Sequence, residues 1–307
     1  MKNKLHPLLA IFSILVISIT SCNSAFSAPT VTSIPTDTPA PTVTPLPTLQ
    51  PGDSEHNVTV NGIERSYVLH TPAGMDGVQP TPIVFMFHGF QENPSTAQLM
   101  TGWNDVSDQH GFLVVYPAGI GGGWNASACC GSAVTQNIDE PAFVQTILAD
   151  IGSTIKIDQK RIYATGFSNG ALLSYRLACE MSDTFAAIGP VAGTMVEAPC
   201  EPKVPVSIIH IHALNDTAVL YTGGPVPGFL PVEDGIATWV KTDKCSDPAQ
   251  VEKLMNDTLT HTTYGSCAAG IGIEMYVFNI GGHSWPSKYV WDASQTIWTF
   301  IAAHPKP

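Results

Sequence analysis

Six short, nearly unbroken apolar runs recur along the chain: IVFMF (83–87), FLVVYP (112–117), IYATG (162–166), AAIGPVAG (186–193), VSIIHIH (206–212) and IEMYVFNI (273–280). A strand looks like this when both of its faces are buried, and a parallel sheet covered by helices on both sides meets that condition. Between the runs, apolar positions three and four apart predict helices at about 95–109, 140–155, 169–181, 233–242 and 292–303. Alternation of this kind predicts an α/β protein with a doubly wound, mostly parallel sheet. The folded part opens differently, because HNVTVNGIERSYVLHTP alternates polar and apolar residues about Asn61-Gly62, the signature of an antiparallel hairpin. No internal repeat and no second linker interrupts the chain after this hairpin, so 53–307 reads as one domain.

The chain ahead of that domain reads as an export signal over 1–22. Lys2 and Lys4 precede the apolar LLAIFSILVISI, and ITSC closes the segment. That ending resembles a bacterial lipobox, which would make Cys22 the lipid-modified first residue of the mature protein; the alternative is a conventional signal peptide cut nearby. In residues 23–52, proline recurs among threonines from Ala28 to Pro51, which predicts an extended, semi-rigid tether. Together these features predict an extracellular or cell-surface protein that meets a membrane only through its lipid. A net charge of -12 with 13 Lys and Arg leaves no basic face for phosphates, so nucleic acid is excluded as a partner. Setting Cys22 aside, six cysteines remain for an oxidising compartment: Cys129, Cys130, Cys179, Cys200, Cys245 and Cys267. Cys245 and Cys267 flank one compact segment and are expected to pair. Adjacent cysteines seldom join, so Cys129 and Cys130 are expected to reach Cys179 and Cys200 in one of two ways. The short paired spacings of a zinc site are missing, and no metal is expected.

In an open α/β sheet, ligands gather at the carboxyl ends of the strands. RIYATGFSNGALLSYRLA runs from strand to helix with Ser168 at the junction, between Gly166 and Gly170. A nucleophile there needs a tight turn that excludes neighbouring side chains, and it gains the dipole and free N–H groups of a helix start. A serine that merely caps the helix is the rival reading. A serine hydroxyl becomes nucleophilic when an imidazole removes its proton, and the imidazole needs an acid to hold its tautomer and charge. Asp216 follows VSIIHIH, and His283 follows EMYVFNI behind two glycines. The order Ser168, Asp216, His283 is that of an α/β-hydrolase. Asp216 has rivals in Asp183 and Asp234 and also fits a turn. His210 and His212 could serve as bases, yet they lie in or at the end of an apolar strand and read as core residues or as supports behind the site. His88-Gly89-Phe90 after the first apolar run provides an oxyanion loop, with the backbone N–H groups of Phe90 and Asn169 as donors and His88 as a structural strut.

These residues resemble the exported esterases grouped as polyhydroxybutyrate depolymerase-like and feruloyl-esterase-like proteins (carbohydrate esterase family 1). The shared motifs are GFSNG followed by YRLACE, the WNASACCG loop, HIHALND leading to YTGG, and a terminal GGHSWP, spread from about residue 55 to 303. The chain departs from the family pattern at Ala213-Leu214-Asn215, where a glycine-threonine pair is usual, and at Ala171, where a third glycine is common. The resemblance implies an α/β-hydrolase fold and a serine carboxylic-ester hydrolase working through an acyl-enzyme without a cofactor. It implies a polymeric or polysaccharide-linked ester as partner: feruloyl or acetyl groups on plant cell-wall xylan, or alternatively a polyhydroxyalkanoate. A peptidase on the same fold and a non-catalytic carbohydrate-binding surface lipoprotein are the competing classes. Trp124, Trp285 and Tyr221, with Phe229 behind them, are candidates to stack on substrate. A monomer is expected.

Overall fold

Residues 49–197 and 200–307 are described by the structure, a computed structural model. Residues 1–22 with Cys22, and the tether up to residue 48, lie outside the described residues. The hairpin expected at Asn61-Gly62 is present: β1 (Gly52–Val60) and β2 (Ile63–Thr71) pair antiparallel. Asn61 and Gly62 both have positive φ, 51° and 81°. This is the backbone that a two-residue turn needs to match the twist of its strands.

The remaining strands are β3 (Thr81–Phe87), β4 (Leu113–Pro117), β5 (Ile157–Phe167), β6 (Ala187–Val191), β7 (Ser207–Ala213), β8 (Gln250–Leu254), β9 (Leu259–Tyr264) and β10 (Ile273–Phe278). Among the described residues they form one sheet in the order β1-β2-β4-β3-β5-β6-β7-β10-β9-β8. From β4 to β10 each neighbouring pair is parallel, and these strands are the six apolar runs of the sequence. Every residue of β3, β4, β6 and β7 is buried. Antiparallel pairs complete both edges. The β8–β9 hairpin was not expected, and its composition explains why. QVEKL is almost wholly exposed, so an edge strand like β8 shows no apolar period and carries charges that discourage further pairing.

The helices are α1 (Pro94–Thr101), α2 (Trp103–His110), α3 (Gly131–Thr135), α4 (Glu140–Gly152), α5 (Asn169–Glu180), α6 (Val232–Thr242) and α7 (Ala293–Ala303). The single helix expected at 95–109 is two, because Gly102 at φ 65° ends one and starts the next. The period of two along β3 divides the core. Ile83, Phe85 and Phe87 face the layer that contains Ile147, Leu172 and Trp239 of α4, α5 and α6. Val84 and Met86 face the layer that contains Trp103, Val106 and Ile297 of α2 and α7. Each such side chain contributes roughly 1.5–3 kcal/mol on burial. That surplus lets the fold carry a buried ion pair, Arg65 with Glu140, 3.1 Å apart and 3% and 1% exposed.

Burial lowers the Arg65 pKa and raises that of Glu140, and the attraction between them offsets part of both shifts. The Arg65 guanidinium also lies 3.8 Å over the Phe143 ring. Glu140 accepts from the Asn125 N–H at 3.1 Å, so this pair anchors the WNASACCG loop.

The cysteine pairing differs from expectation. Cys245 joins Cys267 as expected, but Cys179 joins Cys200, and Cys129 joins its neighbour Cys130. Distance along α5 accounts for this. The Cys129 carbonyl is hydrogen-bonded to Asn169 at the start of α5, whereas Cys179 lies near its end, about 15 Å further along at helical rise. Disulfide partners need Cα atoms within about 7 Å.

Candidate active site

The junction between β5 and α5 is a sharp turn. Ser168 has φ 54° and ψ −116°, a strained conformation for a residue with a side chain. It is held by Ser168 N–H donating to the Val191 carbonyl at 3.0 Å and by the Ala171 and Leu172 N–H groups donating to its own carbonyl. A Cβ on Gly170 would overlap the Phe87 and His88 carbonyls, and one on Gly166 would overlap Gly170. Ser168 occupies the N-cap position of α5, yet its side chain makes no capping bond. The hydroxyl is directed instead at His283, with Oγ 2.9 Å from Nε2.

His283 arrives from the loop after β10, and Asp216 from the loop after β7, strands that lie side by side. The His283 Nδ1–H donates to Asp216 Oδ2 at 2.8 Å, which leaves Nε2 to accept from the serine. Asp216 Oδ1 accepts from the Ala218 and Val219 N–H groups at 2.8 and 2.9 Å. Burial pushes the Asp216 carboxyl up, but the His283 bond and the two backbone N–H groups outweigh it and hold the group below its ordinary value. The Phe167 ring lies 4.9 Å from the imidazole and flanks it.

The rival residues are engaged elsewhere. His210 and His212 are buried in β7, where His210 Nδ1 is bonded to Tyr175 Oη at 2.8 Å and His212 Nε2–H donates to the Val219 carbonyl at 2.9 Å. Burial lowers both imidazoles, which keeps them neutral. His212 Nε2 also lies 3.5 Å from Asp216 Oδ2, the oxygen that accepts from His283, a supporting place that the sequence left open for it. Asp183 pairs with Lys203, and Asp234 lies in the first turn of α6.

The oxyanion loop follows β3. Phe87 pairs in register with Gly166 of β5, so Phe90 and Asn169 each stand three residues beyond that pair on adjacent strands. His88 Nε2 accepts from the Gly119 N–H at 3.0 Å, and its Nδ1–H donates to the Gly89 carbonyl at 2.7 Å. Burial pushes this imidazole down to about 4, making it a neutral strut. The Phe90 ring rests against Gly123 and Gly131, where any side chain would displace it. The Asn169 carboxamide accepts from the Trp124 N–H at 2.7 Å and donates to the Trp124 and Cys129 carbonyls at 3.3 and 3.2 Å. It ties the WNASACCG loop to the elbow.

Two of the aromatics expected to touch substrate do not present a face. Trp124 is 0% exposed and its indole N–H donates to the His88 carbonyl; Trp285 is 5% exposed and bonded to Ser294. Each indole has a large apolar surface to bury and one donor to satisfy, and both needs are met inside. Tyr221 is part-exposed, with its hydroxyl on Glu233, and Phe229 is buried.

Both departures from the family pattern are matched by a facing glycine. A Cβ on Gly193 would collide with Ala171, and one on Gly281 would come within 3.1 Å of the Ala213 Cβ. The extra methyls therefore occupy space that a partner glycine leaves open. Among the described residues, no group of three or more His, Cys, Asp or Glu is arranged to hold a metal ion.

A parallel sheet with a nucleophile-type elbow, an acid after β7 and a histidine after β10 defines the α/β-hydrolase class. The sequence profile described as Esterase PHB depolymerase matches residues 65–211. The bifunctional acetylxylan esterase/xylanase XynS20E of Neocallimastix patriciarum is 29% identical over 240 residues, covering 76% of this chain and 33% of that protein. Feruloyl esterase B of Piromyces equi is 26% identical, covering 74% and 44%, and feruloyl esterase C of Emericella nidulans is 28% identical, covering 76% and 83%. The chain thus spans under half the length of the first two of these relatives. Among solved structures, an acetyl xylan esterase from Aspergillus awamori superposes with a TM-score of 0.56 at 15% identity, covering 81% of this chain and 99% of the other. The feruloyl esterase module from Clostridium thermocellum, complexed with sinapinate, gives 0.55 at 14% identity, covering 82% and 87%. At that identity the superposition speaks for the fold. Within its class the chain is similar to polyhydroxybutyrate depolymerase-like and feruloyl esterase-like proteins over these stretches.

Proposed function

We propose that this protein is an exported serine carboxylic-ester hydrolase, with residues 53–307 as its catalytic domain carried on the 23–52 tether and a lipid on Cys22. The observation that carries the reading is that His283 engages Ser168 through one ring nitrogen and Asp216 through the other. In this reading Ser168 Oγ attacks the ester carbonyl while His283 Nε2 takes the hydroxyl proton. The carbonyl oxygen becomes an oxyanion facing the Phe90 and Asn169 N–H groups. Collapse breaks the C–O bond, and His283 returns the proton to the departing alcohol. Water then attacks the acyl-enzyme, with His283 as base, releasing the acid and restoring Ser168. Asp216 holds the imidazole in the Nδ1–H tautomer throughout and stabilises its cationic form.

The preferred substrates are feruloyl or acetyl esters of plant cell-wall xylan, a choice supported by the names of the relatives. A polyester backbone is the second reading, supported by the name of the matching family. Hydrolysis of p-nitrophenyl acetate, p-nitrophenyl butyrate and methyl ferulate by the full-length protein and by Ser168→Ala tests the assignment. Wild-type turnover should fall at least about 10³-fold in the variant. Equal rates for the two proteins would reject Ser168 as the nucleophile, and preference for methyl ferulate over short acyl esters would favour the cell-wall reading over the polyester.

A further inference from the structure

We infer that Asn215 is a positioning residue for the reaction, clasping the loop that carries His283 to the loop that carries Asp216; this rests on the proposed roles of those two residues. Asn215 Oδ1 accepts hydrogen bonds from both the Gly281 and Gly282 N–H groups, each at 2.9 Å. Asn215 immediately precedes Asp216, and Gly282 immediately precedes His283. The bond from His283 to Asp216 is therefore bracketed, one residue earlier in each loop, by a two-pronged bond from backbone to side chain.

The His283 loop has need of such a fixture. The parallel pairing of β7 with β10 ends at Ala213 and Phe278, extended by one further bond from the Leu214 N–H to the Phe278 carbonyl. Beyond that point Ile280 is 82% exposed, and Gly281 and Gly282 have no side chains to anchor, Gly282 at φ 63°. The loop's internal bond, Ser284 Oγ to the Gly281 carbonyl at 2.8 Å, closes it on itself without joining it to Asp216. The near contact between Ala213 and Gly281 brings the two backbones within reach of one short side chain. An acceptor on a single methylene suits the gap, and Asn and Asp share that geometry, whereas Ala offers no acceptor.

The test compares full-length wild type, Asn215→Ala and Asn215→Asp. For Asn215→Ala, kcat on p-nitrophenyl acetate should fall about 10- to 100-fold with little change in KM, since a loosened base misplaces the reacting groups. Fluorophosphonate labelling of Ser168 should slow by the same factor. The low-field proton resonance of His283 Nδ1–H, identified by its loss in Asp216→Asn, should broaden or vanish. Asn215→Asp keeps the acceptor and should retain most of kcat. The inference is overturned if Asn215→Ala matches wild type in kcat, labelling and resonance. It is also overturned if the Ala and Asp variants are equally impaired, which would mark a structural role alone. A wild type that neither labels nor turns over ester would instead reject the esterase reading; the resonance in wild type and Asn215→Ala then decides the clasp by itself.

Discussion

At the level of single residues, two buried carboxylates meet opposite fates. Asp216 is surrounded by donors and is held in its charged form. Asp243 is 0% exposed, and neither of its oxygens has a well-formed hydrogen bond. Burial pushes its carboxyl up to about 7, against a weaker opposing pull from the Val206 N–H. A carboxyl raised in this way favours the fold when protonated. Its contribution is fully present below the ordinary value of 3.8 and is lost as pH rises through about 7. Replacing it by Asn should therefore raise stability by about 1–3 kcal/mol near pH 8, and the gain should shrink towards zero near pH 4. Urea denaturation of Asp243→Asn and wild type at those two pH values measures it, and a gain independent of pH would show that ionisation is not the cause. Residue identity alone distinguished neither carboxylate. Asp216 follows an apolar strand and Asp243 ends an amphipathic helix, and what separates their charge states is the set of N–H groups that the fold brings within reach.

Secondary-structure elements were legible wherever burial imposed a period. β3 and β7 are buried on both faces and so appear as unbroken apolar runs, and Asn61-Gly62 marks its hairpin because few other pairs tolerate positive φ at both positions. β8 was not legible, since its stability comes from backbone bonds to β9 rather than from side-chain burial. The break at Gly102 follows from one left-handed residue that an apolar period of three and four cannot register. The β5–α5 junction lies between these cases. Its glycines were conspicuous in the sequence, and their necessity comes from the Phe87 and His88 carbonyls packed against Gly170. Gly170→Ala should cost about 1–3 kcal/mol through overpacking and should also slow fluorophosphonate labelling of Ser168. Urea unfolding and labelling rates check the two effects, and a variant that labels at the wild-type rate would mean the turn can relax without moving the serine.

On the scale of the whole molecule, the disulfide Cys245–Cys267 links the segment between α6 and β8 to the segment after β9, closing the base of the exposed edge hairpin. Replacing both cysteines by alanine should lower stability by about 3 kcal/mol, read from the urea midpoint, because the unfolded chain regains the freedom of a closed loop. Peptide mapping without reduction should recover Cys179–Cys200 and a bridge confined to the Cys129-Cys130 peptide; a cross-link between those two regions would contradict the pairing. By itself the sequence determined the α/β class, the parallel centre of the sheet and the candidates Ser168, Asp216 and His283, because burial and turn geometry impose local patterns on residue choice. Tertiary structure alone decided that the Ser168 hydroxyl meets His283 rather than capping α5, and that Trp124 and Trp285 face inward. It also decided which cysteines pair and that Asn215 bridges two loops. Each of those facts depends on the distance between segments remote in the chain, and no local pattern of residues encodes such a distance.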